Sequence, residues 1–457
     1  MKPNYYTFLD LLAPVYLLVF YTLSKSIVAK NTDNILYHRY FIQGFWYKMI
    51  GSLGFYLIYA FYYGGGDSCA YFINGTIINE HLLFENFTEG INLLFSKAEN
   101  HANFPGVIMY KSAYFYNSSY VLRDEKALAV AKISSLISAP CFNSYLCTSL
   151  AFGFLSYIPI FKLFTLISSI YPDKVDRLSF AFLKVPSFVF WGSSVSKDTI
   201  CVALLCVLIY TFYRMVVKLN FSFRYIVAFL LSAYFISIIK SYILFAALPG
   251  LLIFTFITYQ NKFFSGSIKY FITPIVVLLA LGSFGLLFQS LTSTFTEFST
   301  ENLETRAEGF KIDHTNIQEK LGGSGYSLGE FDYTVSGILK KAPLALAISL
   351  FGPFPWQIRN PVMLLSSMES SYFLYLFIAV FFSSYGLSRL SKLIADPLFL
   401  FSVTLVIILG ISIGITSFNY GALVRFKIPI LPFFATILVL MEKPKPQIAA
   451  SSLNSKR

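Results

Sequence analysis

Asp67 closes a run of three glycines in "YYGGGDSCAY" (62–71), and Tyr71 follows it by four residues. A carboxylate placed this way can take a proton from an attacking hydroxyl. The glycines before it allow a close backbone approach to a ligand, although Gly-Asp is also ordinary turn chemistry. A second acid, Asp198, follows Lys197 in "PSFVFWGSSVSKDTI" (186–200). That pair reads either as part of a site or as a local helix start, where an acid complements the helix dipole. Lys240 lies in "IIKSYI", Arg359 and Glu369 in "GPFPWQIRNPVMLLSSMES" (352–370), and Arg425 and Lys427 in "NYGALVRFKIPILPFF" (419–434). Cations of this kind suit an anionic group. Arg is the best fitted, because its planar fork binds phosphate bidentately. Lys240 and Lys427 read equally as snorkelling anchors, a reading that suits Arg425 less because it follows the loop motif "NYG". Tyr71 and Trp356 have flat faces that can stack on a ligand or sit in an interfacial aromatic belt.

The elements that position these residues are apolar. The chain has 457 residues, of which 56% are hydrophobic and 13% charged. A soluble domain carries about 25% charged residues, so the composition is that of a polytopic membrane protein. Taking about 20 apolar residues per span, the expected fold is an all-α bundle of about eleven spans in one integral membrane domain covering 1–457. The spans expected are 8–29, 45–63, 145–170, 178–192, 199–217, 223–239, 241–259, 270–290, 370–387, 396–416 and 421–441. The first is too long for a signal-peptide core and is read as retained. Residues 127–139 read as an amphipathic helix. Residues 344–365, with their prolines, read as a re-entrant or interfacial segment.

Two long loops, 64–126 and 291–342, hold fifteen of the 23 acidic residues. The short loops 213–224, 261–269 and 388–392 are basic without a single acid. The positive-inside rule puts the short loops in the cytoplasm and both long loops outside. Asp67, Lys197, Asp198, Lys240, Arg359, Glu369, Arg425 and Lys427 then fall at span ends on one common outer level. The net charge of +12 is spread over these short loops, which argues against nucleic acid as a partner. Five cysteines form no CxxC pair and four histidines show no zinc spacing. The glycine-rich "LGGSGYSLGE" (321–330) lacks the Lys-Ser/Thr ending of a phosphate-binding loop and reads as a lid.

Taken in order, "GGGDSCAY", "PSFVFWGSSVSKDTI", "GPFPWQIRNPVMLLSSMES" and "NYGALVRFKIPILPFF" resemble motifs of multi-span bacterial membrane glycosyltransferases of the GT-C superfamily. The general layout is also similar to that of O-antigen and exopolysaccharide polymerases. The resemblance implies a polyprenyl-phosphate-linked sugar as donor, a glycan or lipid-linked acceptor, and a site facing the periplasm from the inner membrane. It places Asp67 as the catalytic base, with Asp198 as second candidate or as the partner that orients Lys197. Lys197, Arg359 and Arg425 become the candidates for the phosphate, and Lys240 and Glu369 line the same site. No cofactor is required for such a transfer, although Asp67 with Asp198 offers two ligands to a divalent cation. The other readings of the chain are a polymerase, which needs two basic clusters on the outer face, and a transporter or lipid-linked glycan flippase.

Overall fold

The computed structural model describes residues 5–80, 86–98, 119–122, 124–263, 325–329, 331, 335–359, 361–417 and 419–443. Among them the chain is helical and contains no strand, only one isolated bridge between Gly325 and Asn419. Among the described residues six helices are long and apolar enough to cross a membrane: Phe8–Ala29, Tyr145–Ile170, Lys197–Val216, Phe223–Gln260, Pro361–Phe381 and Pro397–Thr416. A seventh forms if Tyr420–Phe426 and Leu431–Met441, bent by 68° at Pro429, count as one. These helices fit an integral membrane protein. The expected number of eleven is not reached by whole helices, and the expected span 270–290 lies outside the described residues.

The shortfall has physical causes. Residues 45–63 run as the α-helix Ile42–Leu57 and then widen into a π-helical stretch, Ile58–Tyr63. Residues 178–192 are broken at Val185, where the extended backbone required before Pro186 separates the stretch Val175–Lys184 from the helix Pro186–Trp191. Residues 223–263 run as one helical stretch, but Lys240 has non-helical angles. The Phe212 ring lies 6.2 Å from Phe229 and 6.0 Å from Phe254. In a straight helix those two phenylalanines would be about 37 Å apart. The chain therefore doubles back at Lys240.

Caps fix where the long helices begin. Ser144 accepts from the Cys147 amide, Ser196 from the Thr199 amide, and Asp396 from the Leu398 and Phe399 amides. The amphipathic stretch expected at 127–139 is the helix Glu125–Ser138. It packs Ala131 and Ser135 against Gly75 of the helix Asp67–Glu80. The proline-rich segment 344–365 is divided between the ends of two helices and the connector that joins them. Helix Val335–Phe351 ends where the Gly352 carbonyl accepts from Ser370, midway along Pro361–Phe381, and the connector 352–359 carries the chain back to Pro361.

The polar contacts gather at two ends of the bundle. One end joins Arg39 to Asp176 at 3.0 Å, Arg177 to Glu442 at 3.0 Å and Tyr171 to Asp396 at 2.7 Å. The other joins Asp67, Asp124, Lys197, Asp198, Lys240 and Arg425. Residues expected on opposite faces of a membrane are thus separated in space.

Candidate functional site

The turn before Asp67 requires its glycines. Gly64, Gly65 and Gly66 have φ of 61°, 142° and 115°, a region closed to most side chains. A Cβ on Gly66 would also stand 3.0 Å from the Tyr59 ring. Out of this turn Asp67 emerges as the first residue of the helix Asp67–Glu80 rather than as a loop residue. There its charge complements the helix dipole.

Arg425 lies between the two acids. Its Nη1 is 3.2 Å from Asp67 Oδ2, and its Nε is 3.5 Å from Asp198 Oδ2. Arg425 belongs to the short helix Tyr420–Phe426, whose start is set by Asn419 accepting from the Gly421 and Ala422 amides. This cap accounts for "NYG" without any ligand. The guanidinium is centred 5.7 Å from the Trp191 ring, which restricts its rotation and adds a cation–π contact.

Asp198 is the buried anchor of the group, at 1% exposure. Its Oδ1 is 2.5 Å from Lys240 Nζ, while its Oδ2 makes no hydrogen bond and faces only Arg425. A buried carboxylate needs such compensation, and the break at Lys240 supplies it. Lys240 also sits 4.4 Å over the Phe426 ring. This corrects one expectation: Lys240 does not snorkel, because its ammonium is buried on Asp198. Asp198, itself enclosed, faces Arg425 with its other oxygen.

The rim is more open, with the Asp67 side chain 44% exposed against 19% for Arg425. Asp67 Oδ1 accepts from the Tyr120 hydroxyl at 2.9 Å. Lys197 does not pair with its neighbour Asp198. It reaches Asp124 at 3.1 Å and stands 5.7 Å over the Tyr71 ring. Burial alone would raise the Asp67 carboxyl. Arg425, the Tyr120 hydroxyl and Lys197 outweigh it and hold the group below the usual carboxylate range. Burial and the adjacent Asp67 charge push the Tyr120 hydroxyl up, so it stays a donor.

Other expected site residues lie elsewhere. Trp356 is 78% exposed and stacks on Phe354 at 5.0 Å. Arg359 is exposed on the same connector. Glu369 caps a helix: its Oε2 accepts from the Ser187 amide at 2.7 Å. Lys427 is buried and donates to the Gly352 carbonyl and to Ser370. Of the glycine-rich run expected as a lid, residues 325–329 are described. Tyr326 donates to the Gly414 carbonyl at 2.8 Å and packs on Tyr420, so this part is docked beside the helix that carries Arg425.

Asp67 and Asp198, expected as two ligands for a divalent cation, are instead bridged by Arg425. A guanidinium already occupies the position between the two carboxylates, and among the described residues no group of three or more His, Cys, Asp or Glu gathers to hold a metal. Sequence reasoning missed Tyr120, Asp124 and Trp191. Trp191 stood inside a quoted motif, whereas Tyr120 and Asp124 carried no signal beyond an acidic loop. The arrangement as a whole is a cation shared by an enclosed carboxylate and an accessible one, at the end of the bundle. Comparison of the chain with protein families, curated proteins and solved structures finds no match.

Proposed function

We propose that this chain is a membrane glycosyltransferase that draws a sugar from a polyprenyl-phosphate carrier at the outer face of a bacterial inner membrane, in cell-surface glycan assembly. On this reading the chain crosses eleven times, counting the broken and divided helices and residues 270–290. The observation that supports it is Arg425 held between Asp67 and Asp198. A phosphate that reaches the rim finds a guanidinium already aimed by Asp198 and covered on its accessible side by Asp67, which it can displace.

The transfer then proceeds as follows. The acceptor hydroxyl attacks the anomeric carbon. The bond from that carbon to the phosphate oxygen breaks, and its electron pair leaves with the phosphate beside Arg425, where the cation opposes the developing charge. The hydroxyl proton passes to Asp67. Arg425 has two tasks that exclude each other in the resting site. Once the phosphate engages it, Asp67 loses its principal counter-charge, its proton affinity rises, and it becomes a competent base. Asp198, fixed by Lys240, keeps the guanidinium in place throughout. Lys197 and Tyr71 flank the acceptor side.

A polymerase handling two lipid phosphates needs a second cationic seat. The candidates for the two seats are Arg425 with Lys427, and Arg359; Lys427 already donates to the Gly352 carbonyl and to Ser370, while Arg359 is exposed on the connector 352–359. The test is transfer of radiolabelled sugar from polyprenyl-phosphate donors in membrane vesicles. Asp67→Asn is expected to abolish transfer at unchanged protein abundance, and transfer at the wild-type rate would remove Asp67 from the mechanism.

A further inference from the structure

Lys48 lies in the helix Ile42–Leu57, is 3% exposed, and donates from Nζ to the Gly192 carbonyl at 2.6 Å. Its ammonium stands 5.1 Å over the Phe188 ring, and among the described residues it forms no ion pair with a carboxylate. An ionisable group within an apolar span is costly to keep and is by default functional.

What Lys48 touches is irregular backbone. Residues 192–196 separate the helix Pro186–Trp191 from Lys197–Val216, and all five are buried. Buried non-helical backbone has to find its hydrogen bonds inside the protein. Here side chains of two neighbouring helices supply them. Ser52, one turn after Lys48 on the same helix face, donates to the Ser193 carbonyl at 2.6 Å. From Tyr145–Ile170, Ser156 donates to Gly192 at 3.3 Å and Ser149 meets the Ser194 hydroxyl at 3.0 Å. Within the segment, Thr199 donates to the Trp191 carbonyl at 3.3 Å and accepts from the Ser194 amide at 3.2 Å.

The two ends of this segment are site residues: Trp191, which packs on Arg425, and the pair Lys197 and Asp198. We infer that Lys48 is a positioning residue, whose tethered cation, together with Ser52, fixes the carbonyls of residues 192–193 and so sets the distance between the Trp191 and Asp198 walls of the Arg425 seat. Its part in transfer rests on the function proposed above. Its hold on the segment does not.

The experiment is hydrogen–deuterium exchange on the purified full chain in nanodiscs, read on peptides covering 192–198, for Lys48→Met, Lys48→Arg and Ser52→Ala. Loss of a charged donor to a buried carbonyl is expected to speed exchange there roughly ten- to a hundred-fold in Lys48→Met. Lys48→Arg restores slow exchange, and peptides from Pro397–Thr416 stay unchanged in both. Ser52→Ala gives a smaller local increase, and it carries the test if Lys48→Met does not fold. Exchange at 192–198 equal to wild type in a folded Lys48→Met, or in Ser52→Ala where that variant carries the test, overturns the inference, as does acceleration spread evenly over the chain. Sugar transfer measured on the same variants separates the two claims. Faster local exchange in a protein that never transfers sugar retains the positioning role and rejects the transferase.

Discussion

Removal of Asp198 is the perturbation with the largest calculable consequence. Asp198 and Lys240 are 2.5 Å apart and almost fully enclosed, with side-chain exposures of 1% and 6%. At an effective dielectric constant near 20, unit charges at that separation attract by about 6–7 kcal/mol, most of which offsets their desolvation. Asp198→Asn leaves Lys240 as a buried cation without its counter-ion and is expected to cost about 3–5 kcal/mol. Lys240→Met costs less, because Asp198 keeps Arg425 at 3.5 Å. The double variant Asp198→Asn/Lys240→Met is expected to recover most of the loss, since replacing a whole buried pair is often close to neutral. The assay is equilibrium unfolding of the four proteins in matched detergent, read as a double-mutant cycle. A coupling energy of about 3 kcal/mol is expected. A coupling near zero, with each single variant at wild-type stability, would refute the assignment of Asp198 as an anchor fixed by Lys240.

Three further outcomes follow from the same geometry. Gly66→Ala forces a side chain into φ of 115° against the Tyr59 ring; a loss of roughly 1–3 kcal/mol is expected in unfolding, with a fall in sugar transfer as Asp67 shifts. Arg425→Lys keeps the charge but not the fork that spans Asp67 and Asp198, so transfer is expected to fall by about a hundred-fold with the fold intact on circular dichroism. Asp67 is held below its ordinary value of 3.8, so the stability it contributes is present above that pH and lost as pH falls through the lower folded value. Tyr120→Phe removes one of the groups that lower it. The acidic limb of kcat/KM in a pH–rate profile is then expected to move upward, and an unmoved limb contradicts Asp67 as the base.

The sequence was most legible where physical constraint is local. Apolar runs announced the helices, and the basic short loops separated the residues of one end of the bundle from those of the other. The three glycines announced a turn that only glycine can make. Long-range pairing was less legible. Lys197 stands next to Asp198, and their adjacency suggested a pair, yet the first residues of a helix project in different directions. Lys197 therefore turned to Asp124 while Asp198 turned to Lys240, 42 positions away. Trp356 and Arg359 were grouped with the site through their motif, and the connector that carries them leaves both exposed. Span counting divided the chain at Lys240, where the helix does break, but ran 421–441 straight through the bend between Phe426 and Leu431. A sliding window averages hydropathy and does not register such a bend.

The most direct measurement is the affinity of the full chain in nanodiscs for a polyprenyl monophosphate, compared among wild type, Arg425→Gln and Asp67→Asn. If the phosphate displaces Asp67 from Arg425, Arg425→Gln weakens binding by at least about thirty-fold, while Asp67→Asn binds as tightly as wild type or more tightly, because the competing carboxylate is gone. Equal affinity in wild type and Arg425→Gln, or weakened binding in Asp67→Asn, contradicts the shared-cation site.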